Sequence, residues 1–491
     1  MNAVHLPVLL VVVPLLAAPV CALLPGGRLS WLVAAAASVA TLVITFAVHA
    51  HVLADGTISY MIGNWEAPLG IEYRIDEANA FVLLLVAGVG AVVALWGRES
   101  VAAEVEGPRE RWYWTMYLLA LAGLLGVTIT GDAFNVFVFL EISSLASYVL
   151  IALGRDRRAL TASYQYLIMG TIGATFFVIG VGLLYTMTGT LNMADLAERL
   201  PLVEETRPVH AAFAFLAVGI SLKLALFPLH LWLPNAYAYA PSATTAFLSA
   251  TATKVAVYMF LRFFLSIFGG AEFFERLALP DVLLVLSLAA IFAASTVAIF
   301  QSDVKRMLAY SSVAQIGYIT LGIGIGTRLA LAGGIVHLFN HAVMKGALFL
   351  LLGGIAYRIG NVTIDRLAGL GRRMPLTTAG LVIAGLSLVG TPGTVGFVSK
   401  WYLAQGALER GWWWLVALIV VGSLLPVIYL GRVVEAAYFR PTPADCPLRE
   451  ATPQMLVFAW VLVAACVWFG LDTGLTVDVA SRAAEALWRG Q

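Results

Sequence analysis

Charge is what this sequence has least of. Acidic and basic residues together make up 12% of its 491 positions, against 61% hydrophobic, and the formal net charge is +1. One soluble core cannot hide that much apolar surface, so the composition describes an integral membrane protein in a lipid bilayer. A near-zero net charge also leaves no basic face to track phosphates, which argues against nucleic-acid binding. Cysteine is sparse: Cys21, Cys446 and Cys466 lie far apart and form no CxxC. Structural zinc, an iron–sulfur cluster and a disulfide framework are therefore not expected, and no cofactor site is. Lysine is scarcer than the basic total suggests. Of 29 basic residues only five are lysine, and Lys223, Lys254, Lys345 and Lys400 fall inside apolar segments, with Lys305 in a loop. Arginine fills loops and helix ends. Codon preference for arginine explains the arginines but not the buried lysines. A desolvated ammonium can give up its proton, whereas a guanidinium does not.

What is present is length of apolar run. Fourteen runs long enough to span occur between residues 6 and 471, giving an all-α polytopic membrane protein with about 14 transmembrane helices. The Gly131-Asp132 joint is so tight that the fourth and fifth helices could pass for one. The amino end has an apolar run but no basic segment before it, and Arg28 follows, which favours a retained first helix over a cleaved signal. Alternating from an outward start places sixteen basic residues inside and nine outside, among the latter Arg276 and Arg489. That distribution predicts both termini outward. The connecting segments are too short for an enzyme domain, and 191–202 suits a short amphipathic helix on the outer surface.

The chain is organised around 219–254, which sets Lys223 and Lys254 on either side of a proline-broken helix. Pro228 cannot donate to the Leu224 carbonyl, so a polar backbone group is freed beside Lys223. The twelfth helix repeats the device with Pro392 and Gly393 ahead of Lys400. Two interrupted helices five apart run in opposite directions, the geometry of inverted repeats with an ion path between them. The expected divisions are 1–111 (three helices), 112–266 (first five-helix repeat), 279–432 (second, inverted repeat) and 433–491 (a last helix).

Glu141 lies mid-helix in DAFNVFVFLEISSLASYVL with no opposite charge adjacent in sequence. Near Lys223 it would ionise and hold that lysine charged, a switchable pair; a purely structural ion pair is the alternative. His337, His341 and Lys345 share one helix face at four-residue spacing. HLFNH lacks the glutamate of HExxH and Lys345 would repel a cation, so a proton-relay stripe fits better than a metal site, with satisfied core histidines as the plain alternative. GTPGTVGFVSK (390–400) fails as a phosphate loop because Ser399 precedes Lys400 and Trp401 follows. Its glycines and Pro392 are expected instead to free carbonyls toward a polar cavity.

NWEAPLGI at Asn64, TGDAFNVFVFLEISSLASY, GTLNMADL at Gly189 and FNHAVMKGALFLL (339–351) resemble the antiporter-like family of respiratory complex I, membrane-bound hydrogenases and Mrp sodium/proton antiporters. The first three blocks are most similar to its Mrp D-subunit branch. EISSLASY departs from the more apolar run of many Mrp relatives. The longer paralogues carry a carboxy-terminal amphipathic arm, and a single last helix is expected here. The resemblance implies Glu141 and Lys223 as the key pair, Lys254 bridging toward the centre, His337 and His341 in the middle and Lys400 in the far half-channel. It also implies H+ and Na+ as transported ions, other membrane subunits as partners, and a prokaryotic inner membrane. The leading expectation is a proton-translocating subunit of a monovalent cation/proton antiporter. A redox-driven proton-pumping subunit of a NADH:quinone oxidoreductase or hydrogenase is the alternative, and a structural scaffold the third.

Overall fold

The computed structural model describes residues 5–269, 277–441 and 449–488. Cys446, Arg276 and Arg489 lie outside the described residues. Among the described residues, twelve helices are long and apolar enough to cross a membrane. In chain order the elements are α1 (Leu6–Leu23), α2 (Gly27–Asp55), the hairpin β1 (Ile58–Met61) and β2 (Glu72–Ile75), α3 (Glu77–Glu104), α4 (Glu110–Ile129), α5 (Ala133–Ala152), α6 (Arg158–Thr188) and α7 (Met193–Arg199). Then come α8 (Arg207–Leu224), α9 (Trp232–Tyr239), α10 (Ser242–Ala250), α11 (Ala252–Leu261), α12 (Leu279–Ile299) and α13 (Val304–Gly324). The chain continues with α14 (Arg328–Ile359), α15 (Leu370–Arg373), α16 (Pro375–Val389), α17 (Val395–Glu409), α18 (Trp413–Phe439), α19 (Pro453–Leu471) and α20 (Gly474–Trp488). The α4–α5 joint is as tight as expected, with Asp132 accepting from the Asn135 N–H at 2.7 Å to cap α5.

The organising axis is α14. Its most apolar window is buried throughout, because α3, α10, α13, α16, α17, α19 and α20 all pack against it. Small residues allow the close approach. A Cβ at Gly353, for example, would stand 2.6 Å from Trp96 and 2.8 Å from the Ser242 Cβ, so α14 meets α3 and α10 there without a side chain between.

Both expected helix breaks are present, and they end in the same turn. After α8, the Leu226 N–H bonds the Ser221 carbonyl at 3.0 Å and Ala225 takes a left-handed conformation. After α16, the Thr391 N–H bonds the Leu386 carbonyl at 3.1 Å and Gly390 is left-handed. This closure satisfies orphan carbonyls at a helix end. The first break therefore falls three residues before Pro228, which lies in the connection to α9. The lysines are not equivalent: Lys223 precedes its break and Lys400 follows its own.

Several features differ from the sequence expectation. The run 243–266 is not a plain helix, since α10 and α11 are separated by Thr251 at φ −123° and ψ −58°. A further helix, α20, follows the last span; it buries Val477, Ala480, Ala484 and Leu487 and pairs Arg482 with Glu77 at the start of α3. Its polarity disqualifies it as a span, yet its apolar residues recur at helical spacing, so it lies along the protein as an amphipathic helix. Lys305 is not a solvated loop residue but a buried one.

Gly390→Ala tests the break at α16. It imposes left-handed strain of about 1–2 kcal/mol and sets a Cβ 3.1 Å from the Lys400 Cδ. Gly360→Ala is the control, with φ +80° and nothing within 4 Å. Both variants should lower the melting temperature of the purified complex, and only Gly390→Ala should also impair ion transport.

Candidate functional site

The buried lysines reach for oxygen, and mostly not for carboxylates. Lys223, at the end of α8, donates to the Ser144 Oγ at 2.8 Å and lies 3.7 Å from the Glu141 carboxylate. Ser144 belongs to the EISSLASY run, so the unusual polarity of that run supplies the lysine's hydroxyl partner. The Leu222 carbonyl, which also accepts from the Ala225 N–H, takes the Trp232 indole N–H at 3.0 Å. A cavity of about 20 Å³ lined by Lys223, Ser144, Ser147 and the α11 residues Ala252, Val255 and Ala256 lies between Lys223 and α11. That is room for about one water.

Lys254 stands one turn past the α10–α11 break and donates to the Ser249 carbonyl and to the Thr253 Oγ1. Lys345 crosses from α14 to α13, donating to the Leu308 carbonyl at 2.8 Å and to the Ser311 hydroxyl. Lys400 reaches back to the carbonyls of Leu388 and Val389, at 3.1 and 2.8 Å, which the α16 break leaves without helical donors. Those carbonyls were expected to face a polar cavity; the ammonium of the same broken helix takes them instead. Pro392 and Gly393 form the link that turns the chain so that Lys400 can do this.

The histidines lie between these lysines. His337 is held by the Ser399 Oγ at 2.7 Å and the Gln315 Oε1 at 3.0 Å. Its ring stacks 6.2 Å from that of His341, neither of whose nitrogens has a hydrogen-bond partner among the described residues. Lys254 and Lys345 are near enough to act electrostatically on His341, and Lys254 and Lys400 on His337. Lys400 also lies 4.9 Å from the centroid of the Tyr318 ring, a favourable cation–π placement. With both His337 nitrogens engaged and lysines on every side, the pair is a poor metal site.

At the other end the row reaches the molecule's surface. Phe134, Val138, Leu145 and Val149 form an exposed stripe on α5, and Glu141, with a quarter of its side chain exposed, lies within it. Sequence reasoning did not find a further pair: Lys305 donates to the Ser242 Oγ at 2.8 Å and lies 3.9 Å from Glu104. Lys305 lies within the charged Asp303-Val304-Lys305-Arg306 run, which reads as a loop, and the only available signal was the rarity of lysine itself.

Residues 130–426 match the family model described as NADH:quinone oxidoreductase/Mrp antiporter, TM. The chain belongs to that family. It is 43% identical to the N subunit of the NADH-quinone oxidoreductase of Desulforudis audaxviator, over 97% of this chain and 95% of the relative. It is 31% identical to the D subunit of the Na(+)/H(+) antiporter of Bacillus subtilis, over 99% and 97% of the two chains. A chain in the structure of the Mrp complex from Dietzia sp. DQ12-45-1b superposes with a TM-score of 0.90 at 27% identity, covering 99% of this chain and 98% of that one. The family is one of polytopic subunits of membrane complexes.

The Glu141–Lys223 geometry sets a prediction. Glu141→Gln and Lys223→Ala should each reduce pH-gradient formation by the assembled complex at least about tenfold without preventing membrane insertion. Restored transport in a Glu141→Gln, Lys223→Met double variant would make the pair structural.

Proposed function

We propose that this chain is the proton-translocating subunit of a multisubunit monovalent cation/proton antiporter, with Na+ the exchanged cation. The observation that carries the reading is the row of Glu141 and the buried Lys223, Lys254, His341, Lys345, His337 and Lys400, which runs from α5 to α17 through the middle of the helix bundle. Charged groups at such depth cost about 2.5–3.5 kcal/mol each on insertion scales, and a succession of them, each lysine resting on a hydroxyl or carbonyl, supports a path for protons. His341, at the centre of the row, has both ring nitrogens without a hydrogen-bond partner among the described residues, so neither is committed to another group. Glu141 on an otherwise apolar exposed stripe indicates that another subunit covers α5, since a carboxylate facing lipid would not stay ionised.

We read 112–266 and 279–432 as inverted repeats. Supporting this, α4 packs on α5 as α12 does on α13, and α6 on α8 as α14 on α17. The arginine distribution supports both termini outside, and the likeness to bacterial relatives supports a prokaryotic plasma membrane location. A second reading, a proton-pumping subunit of a redox-driven complex, is favoured by the 43% identity to the N subunit of a NADH-quinone oxidoreductase.

Proteoliposomes containing the purified whole complex separate the two. For an antiporter, an imposed Na+ gradient should drive proton movement with no electron donor present. Proton movement that requires NADH or another reductant, with none driven by Na+, would transfer the chain to the second reading.

A further inference from the structure

A cavity of about 620 Å³ opens on one face of the molecule, between the end of α3, the α5–α6 and α9–α10 connections, and the start of α13. Two ionisable groups stand half-hidden in its wall: the side chains of Lys305 and Glu104 are 11% and 23% exposed. Ser242, the first residue of α10, sits between them. Its backbone N–H and hydroxyl donate to the Glu104 Oε2 at 2.9 and 3.0 Å, while its Oγ accepts from Lys305 at 2.8 Å. The Ser100 Oγ donates to the other Glu104 oxygen at 2.6 Å. The remaining charged groups of the cavity are engaged elsewhere. Asp156 pairs with Arg158 at 2.6 Å, whose guanidinium holds its carboxyl below the usual carboxylate range. Asp303 caps α13, Arg306 lies over the Tyr310 ring, and Arg155 is turned toward the Val105 carbonyl.

Two elements lead inward from this couple. Along α13, the atoms that receive the Lys345 ammonium, the Leu308 carbonyl and Ser311 hydroxyl, are three and six residues past Lys305, about 5–9 Å of helix. Along α10, Ser242, Thr245 and Ser249 share one face and are fully buried; Ser249, about 10 Å from Ser242 along the axis, supplies the carbonyl that holds Lys254. A cavity open at the molecule's surface is thus separated from both central lysines by one carboxylate–ammonium couple and one or two helical turns carrying hydroxyls.

We propose that Glu104 and Lys305 are the port at which Lys345 and Lys254 exchange protons with water on this face. The proposal rests on the relay reading above. A proton from water binds the Glu104 carboxylate, and the neutral acid no longer stabilises the Lys305 ammonium. Lys305 then passes its proton inward, by the α13 groups toward Lys345 or by the α10 hydroxyls toward Lys254, and the Glu104 acid returns its own to the Lys305 amine. One proton enters, one moves inward, and the couple is restored.

Glu104 also caps α10, so the test must distinguish titration from scaffolding. Glu104→Gln retains an oxygen that can accept from Ser242 but cannot carry a proton, and Glu104→Asp retains the acid. In vesicles carrying the assembled complex, Glu104→Gln should lose at least about tenfold of the proton flux, with Glu104→Asp well above it. Formate should partly restore flux to Glu104→Ala, while chloride at the same concentration should not. Glu104→Gln within twofold of the unmodified complex, or equal effects of the two salts, overturns the port. Glu141→Gln is measured alongside: if it loses flux while Glu104→Gln does not, the port fails and the relay stands; if it keeps full flux, both fall. Should Glu104→Gln not assemble, the comparison moves to Lys305. There Lys305→Arg should be as inactive as Lys305→Met, and a mild Lys305→Arg overturns the port.

Discussion

The structure depends on ammonium groups held by backbone carbonyls inside an apolar bundle. Lys254, Lys345 and Lys400 each donate to a main-chain oxygen, and none of the three has a carboxylate within ion-pair distance among the described residues. A protonated lysine has three hydrogens to donate and a neutral amine still has two, so a carbonyl serves both states. A carboxylate partner does not, because it favours the charged form strongly. The lysines in the middle are therefore held in place without being held charged. Lys223 and Lys305, by contrast, each lie within 4 Å of a glutamate. In the proposed relay, control belongs to the two carboxylate-paired lysines and conduction to the three others.

The breaks in the helices follow from the same requirement. A continuous helix uses its carbonyls internally and has none to spare for an ammonium. The gap after α16 and the irregular Thr251 between α10 and α11 release oxygens where Lys400 and Lys254 need them. Lys345 sits on unbroken α14 and instead borrows from α13, where Ser311 adds a hydroxyl. The glycines along α14 bring its neighbours close enough for such cross-helix bonds. α3 adds rigidity at both ends of the kinked α10–α11 helix: Asp76, its cap, pairs with Arg262 at 2.8 Å, and Glu104 caps α10.

The spans, the buried lysines and the proline-marked breaks were legible because each is a local violation of an apolar background. A lysine in a run of leucines, or a proline in a span, needs no partner to be noticed. The proximity of Glu141 to Lys223 was anticipated through the resemblance, but Ser144 as the direct partner was not. The α10–α11 break was illegible since 243–262 contains no glycine or proline; Thr251 and the pull of Lys254 on Ser249 are tertiary effects. Glu104 and Lys305 are 201 residues apart, and each reads locally as a solvated helix end. The amphipathic spacing of α20 is present in the sequence, but a helix this short and polar does not read as a span, so the last helix was placed one element too early.

The central claim is that the carbonyl-held lysines work by visiting the neutral state. Lys400→Arg probes it most directly, because arginine keeps the charge and can donate to the Leu388 and Val389 carbonyls yet does not deprotonate. The measurement is proton flux by the assembled complex carrying this substitution, compared with the unmodified complex at equal abundance. The account predicts flux reduced at least about tenfold. Near-normal flux would contradict it and leave Lys400 a fixed structural charge.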